Sequence, residues 1–78
     1  MNYELDLSGD NCPLPLLKTK KFLSQLDVGA VLTILTTDPS STQDLKDFCN
    51  KTGHIMLKQW QSNNKLYHKI QKQNLIRK

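Results

Sequence analysis

Cys12 stands in the segment Cys12-Pro13-Leu14-Pro15, directly after the polar stretch Gly9-Asp10-Asn11. A thiol placed where a strand gives way to a helix meets the partial positive charge of unpaired N–H groups, which favours the thiolate. Cysteines in such settings fall from a free pKa of about 8.5 into a range of roughly 3.5–7.5. Pro13 and Pro15 remove two N–H donors from the first turn, where those donors have no intrahelical partner, and they stiffen it. The expected product is an exposed sulfur nucleophile on a rigid tip, suited to attack on another protein's sulfur. Cys49 is the opposite case. With Leu45, Phe48 and Thr52 it falls at i, i+3, i+4 and i+7, the stripe a helix turns to a core. A small inert core cysteine is expected there, and a Cys12–Cys49 disulfide is not.

Other residue types offer less chemistry. Asp38, in Thr37-Asp38-Pro39, can bond nearby backbone amides, or it can tune the thiol if the two loops share an edge. His54 and His68 do not combine with the cysteines at any metal-ligand spacing, so no metal is expected. His54 begins a strand, where a surface or end-of-strand role is the default. Trp60 and Tyr67 suit a cross-strand packing pair better than a base-stacking platform. No Ser/His/Asp set, Gly-rich phosphate loop or paired-carboxylate arrangement is evident.

The elements that must position these residues are legible from their patterns. Tyr3, Leu5 and Leu7 alternate with Glu4, Asp6 and Ser8 as a strand with one buried face does. The CPLP segment opens a helix reaching about Leu26, with Leu16, Leu23 and Leu26 inward, Phe22 alongside, and Lys18, Lys20, Lys21 and Gln25 on the wetter side. Asp27-Val28-Gly29-Ala30 reads as its exit turn. Val31 to Thr36 is apolar and β-branched, like a central strand covered on both faces. After Asp38-Pro39, Ser40 or Ser41 can cap a second helix, with Asp44 completing a near capping box and Gly53 supplying the stop. Ile55 to Trp60 and Leu66 to Gln71 form a hairpin around Ser62-Asn63-Asn64-Lys65. The order β-α-β-α-β-β predicts a two-layer α/β sandwich, a four-stranded mixed sheet with two helices on one face. A right-handed crossover makes the first two strands parallel, so their carboxyl ends and both helix starts share one edge. That edge is the usual site of reactive groups in open α/β sheets.

Composition agrees with one small domain. The chain has 78 residues, 37% hydrophobic and 23% charged, without repeats or low-complexity segments. A single domain over 1–78 is expected, with 73–78 as a basic tail. No apolar run nears the ~20 residues of a membrane helix, and no leader is visible before Leu5, so membrane insertion is not expected and a cytoplasmic location is. Two cysteines without a CxxC build no secreted disulfide framework. The small size suggests a monomer that forms transient complexes. The formal net charge of +4 is uneven. All seven acidic residues lie within positions 1–47 against four lysines, whereas positions 48–78 carry seven basic residues and no acid. A basic half of this kind suits an acidic partner or nucleic acid, although no arginine-rich cluster sharpens the latter.

The pattern Asp6-x-x-Gly9-x-x-Cys12-Pro13-x-Pro15, followed by Gly29, Thr37-Asp38-Pro39, Asp44, Phe48-Cys49 and Gly53-His54, resembles the TusA/SirA family of small sulfur-carrier proteins. The resemblance covers about Leu5 to Lys72. It implies the sandwich described above and a persulfide-bearing nucleophile at Cys12. Pro13 and Pro15 would then shape its helix tip, Gly9 the approach loop and Asp38 the neighbouring loop. It also implies a cysteine desulfurase or another sulfane-sulfur donor protein, and a downstream acceptor protein, serving tRNA 2-thiolation or other sulfur trafficking. No cofactor is required, since the sulfur rides on the protein. In one respect the sequence departs from the family. Asn11, with Asp10 before it, stands where tRNA-thiolation members usually carry a basic residue, and an acid so close disfavours a thiolate. Two readings compete with sulfur carriage: a non-enzymatic nucleic-acid-binding or regulatory module using the basic half, and a thiol redox protein.

Overall fold

A computed structural model describes residues 2–11 and 14–73. Its elements are β1 (Asn2–Leu7), α1 (Leu14–Ser24), β2 (Val31–Thr36), α2 (Ser41–Thr52), β3 (Ile55–Ser62) and β4 (Lys65–Gln71). The strands form one sheet in the order β1-β2-β4-β3. β1 and β2 are parallel, with Leu7 opposite Thr36 at their carboxyl ends, and the remaining pairs are antiparallel. The expected α/β sandwich with a mixed sheet is therefore the observed architecture. Among the described residues no helix is long and apolar enough to cross a membrane.

Alternation along the strands decides which residues meet the helices. Tyr3, Leu5 and Leu7 of β1 stand beside Leu32, Ile34 and Thr36 of β2, which stand beside Ile70, His68 and Leu66 of β4. Leu32, Ile34 and Ile70 are fully buried and cluster with Leu23 of α1 and Leu45, Phe48 and Cys49 of α2. Burying one such aliphatic side chain stabilises the fold by roughly 1.5–3 kcal/mol. β2 is central in hydrogen bonding, yet it is covered on only one face: Val31, Thr33 and Leu35 remain partly exposed. Its apolar run suggested cover on both faces, but both helices pack on the same side.

The helices differ in detail from expectation. In α1 the most buried line is Pro15, Thr19 and Leu23, while Leu16, Phe22 and Leu26 pack at its flanks. A proline and a threonine thus hold positions an apolar-only stripe assigns elsewhere, and Leu26 lies beyond the last helical residue. Ser40 is the N-cap of α2 but makes no side-chain cap bond, and Ser41 is drawn inward. Gly53 ends α2 as expected, at φ +87° with its N–H donated to Cys49 O (2.9 Å). Asn63 and Asn64 both have positive φ (53° and 65°), the backbone of a type I′ hairpin turn. Trp60 and Tyr67 stack across that hairpin with centroids 5.0 Å apart and planes 5° from parallel, a packing pair.

Candidate functional site

The carboxyl ends of β1 and β2 deliver two loops to one edge of the sheet, residues 8–13 leading into α1 and residues 37–40 leading into α2. Cys12 and Pro13 lie outside the described residues, so the site is defined by the groups that flank them. Leu14 N–H donates to Asn11 O (2.9 Å), tying the residue before the cysteine to the first residue of α1. Asp10 N–H donates to Leu7 O (3.1 Å), and Ser8 N–H donates to Asp6 Oδ1 (2.9 Å); the Ser8 hydroxyl first, and then this backbone bond, hold the Asp6 carboxyl below its usual pKa. Gly9 has φ +87°, and a Cβ added there would meet nothing within 4 Å. Its role in the approach loop is therefore conformational, because an L side chain is strained at that φ. Pro15 is buried in the first turn of α1, where it needs no N–H partner.

Two contacts at this edge were not foreseen. Gly9 N–H donates to Thr37 Oγ1 (2.9 Å), joining the cysteine loop to the Asp38 loop. Lys18 Nζ, one turn into α1, sits 2.7 Å from Asp10 Oδ2. The acid that precedes the cysteine is thus offset by a cation from the same helix, so the local charge at Asn11 is close to balanced. Asp38 accepts from Ser40 N–H (3.1 Å) and from Ser40 Oγ (3.0 Å), while its carbonyl accepts from Ser41 N–H (3.0 Å). It works on its own loop, as a short acidic side chain after a strand commonly does.

Beneath this loop lies a buried polar chain that sequence reasoning missed. Gln59 Nε2 lies 3.0 Å from both Thr42 O and His68 Nδ1. An amide nitrogen only donates, so Nδ1 accepts and the His68 proton resides on Nε2. Nε2–H then donates to Thr36 Oγ1 (3.0 Å), the Thr36 hydroxyl to Ser41 Oγ (2.6 Å), and the Ser41 hydroxyl to Asp38 O (2.7 Å). Every donor in the chain finds an acceptor in this one orientation. Burial pushes the His68 pKa down to about 4, and the Gln59 amide facing Nδ1 gives a second proton no acceptor there. The available signal was phase: His68 stands two residues from Ile70 and two from Leu66, so it points inward.

The other sequence candidates sort as follows. Cys49 is a free, buried thiol pushed up to about 11 by burial, hence an unreactive core residue as expected. His54 stands directly before β3, at the strand end as expected, but is buried rather than at the surface. It packs against Phe48 (5.6 Å), its Nδ1 accepts from Gln73 N–H (3.1 Å), and burial, then Lys72, lowers its pKa. A shallow depression bounded by Thr37, Pro39, Thr42, Gln61 and Asn64 adjoins the Asp38 loop. Two further depressions lie along α2 and α1 and share Lys20, Phe48 and Thr52 in their lining, one of them reaching Leu16 and Asp44 in the first turns of the two helices.

Comparison with known proteins adds an independent line. The family model "Sulfurtransferase TusA" matches residues 3–72. A Neisseria meningitidis protein described as a candidate sulfur carrier is 50% identical over 58 residues, covering 73% of this chain and 78% of that protein. The sulfur carrier protein TusA of Allochromatium vinosum is 41% identical over 69 residues, covering 88% and 91%. The crystal structure of a SirA-like protein from Desulfitobacterium hafniense superposes with a TM-score of 0.81 at 26% identity, covering 92% of this chain and 99% of that one.

Proposed function

We propose that this protein, which belongs to the TusA sulfurtransferase family, carries sulfane sulfur as a persulfide on Cys12 and hands it to an acceptor protein. The observation that supports this most is the place of the CPLP segment. It joins β1 to α1 at the edge where a second loop, fixed from below by the His68 chain, meets it through Gly9 and Thr37. The chemistry is two exchanges. The Cys12 thiolate attacks the terminal sulfur of a donor persulfide, forming a new S–S bond as the donor's own S–S bond breaks and its thiolate leaves. An acceptor thiolate then attacks the same terminal sulfur and releases the Cys12 thiolate. No net oxidation occurs, and no cofactor takes part. Gly9 and Pro15 set the loop and helix between which Cys12 lies, Pro13 is assigned the same shaping role, and Asp38 holds the adjoining loop. The donor is of the cysteine desulfurase type, and tRNA 2-thiolation is one route the acceptor can serve.

Incubation with a cysteine desulfurase and cysteine, without reductant, tests this by intact mass. The wild type and Cys49→Ser gain one sulfur atom that a thiol reductant removes, and Cys12→Ser gains none. Equal loading of Cys12→Ser contradicts the assignment.

A further inference from the structure

Among the described residues nothing packs on the sheet face turned away from the helices. Its register rows can be read directly from the strand pairing. One row runs Glu4, Thr33, Lys69, Lys58 from the β1 edge to the β3 edge. The next runs Asp6, Leu35, Tyr67, Trp60, and the one on the other side Asn2, Val31, Gln71, Ile55. The face therefore has an acidic margin on β1, lysines toward the other side (Lys69 on β4 and Lys58 on β3), and apolar side chains in the two outer rows, Val31 and Ile55 in one and Leu35, Tyr67 and Trp60 in the other. Lys58 Nζ is held over the Trp60 ring (5.2 Å), and Glu4, Asp6, Thr33, Leu35 and Tyr67 border a shallow hollow on the opposite side.

We propose that this face is a docking surface for a second copy of the same chain. Two sheets stacked face to face can be related by a twofold axis lying either along the strands or across them. An axis across the strands sets β1 over β1, acid over acid. An axis along the strands keeps each row at its own height and reverses it. Glu4 then faces Lys58 of the second copy, Thr33 faces Lys69, and Leu35 faces Tyr67, each pair occurring twice. The charge pattern selects the second arrangement, because like charges brought together disfavour the first. In that arrangement both helices of each copy remain outside, and the two Cys12 edges emerge at the same end. The face measures only about 20 Å along six-residue strands and about 19 Å across four of them, so the association is weak and reversible. It replaces the monomer that chain length alone suggests.

Sedimentation velocity in reductant, which removes disulfide-linked species, tests the proposal at concentrations from about 10 µM to about 1 mM. The wild-type mass average rises toward the dimer over this series, and added salt weakens the rise. Glu4→Lys and Lys58→Glu, each folded by circular dichroism, weaken association at least about tenfold, and the doubly exchanged Glu4→Lys/Lys58→Glu protein recovers it. A wild type that stays monomeric throughout, single reversals without effect, or a double exchange that fails to recover overturns the proposal. A monomer that instead binds a labelled single-stranded oligonucleotide, less tightly after Lys58→Glu, assigns the face to nucleic acid and overturns it too.

Discussion

Two helices start at the same edge of the sheet, and their starts are built in opposite ways. That of α2 is anchored from below by a chain of hydroxyl, imidazole and amide groups drawn from β2, β3 and β4, and from the side by Asp38. That of α1 has two prolines that donate no N–H and, among the described residues, a backbone bond from Leu14 N–H to Asn11 O across the cysteine position. Among the described residues a hydrogen bond from Gly9 N–H to Thr37 Oγ1 links the two. A sulfur carrier needs both kinds of start: a reactive sulfur that a partner can reach, and a fixed neighbour that limits where its loop can go.

Breaking the anchored start has the largest expected effect. His68→Leu takes from the Gln59 amide one of its two acceptors, leaving Thr42 O, and cuts the chain at Thr36, costing about 1–3 kcal/mol in urea unfolding. The same group gives the wild type a pH signature. Folded His68 titrates at about 4 against an ordinary 6.5, so the unfolded chain binds the proton first as pH falls. Stability is therefore held above about pH 6.5 and lost as pH drops toward 4, and the slope over that window is shallower in His68→Leu. His54, also depressed, adds slope of the same sign in both proteins.

Cutting the link between the two starts is the next test. Thr37→Val removes the acceptor for Gly9 N–H, whereas Thr37→Ser keeps it. The valine variant loses about 0.5–1.5 kcal/mol of stability and loads sulfur several-fold more slowly, and serine restores both. Smallest is the charge beside Asn11. The Lys18–Asp10 pair is solvent-accessible and worth about 0.2–1 kcal/mol. Lys18→Gln slows alkylation of Cys12 at neutral pH by about twofold to fivefold, and Asp10→Asn speeds it by a similar factor.

The contrast between the two starts was only half legible in the sequence. Element order, the parallel first pair, the hairpin and the core place of Cys49 all follow from period-2 and helical spacing, which register apolar side chains. The anchored start does not, because its parts are polar and far apart in the chain: Thr36, Ser41, Gln59 and His68 are brought together only by sheet pairing. Ser41 read as a cap because capping is the local use of a serine before a helix, but the buried neighbours of this fold claimed its hydroxyl instead. Thr19 and Pro15 escaped an apolar count for the same reason. The one-sided cover of β2 was also hidden, since an apolar outward face looks the same whether another layer covers it or not. The unreactive character of Cys49 and the proposed reactivity of Cys12, by contrast, were separable from spacing alone.

The most direct test is to locate the sulfur in the wild-type protein. After loading by a cysteine desulfurase, free thiols are alkylated under native conditions, the protein is digested, and the peptides are mapped by mass. The account predicts the added sulfur on the Cys12 peptide alone, with Cys49 unlabelled until the protein is denatured. Added sulfur on the Cys49 peptide, or native labelling of Cys49 as fast as that of Cys12, contradicts it.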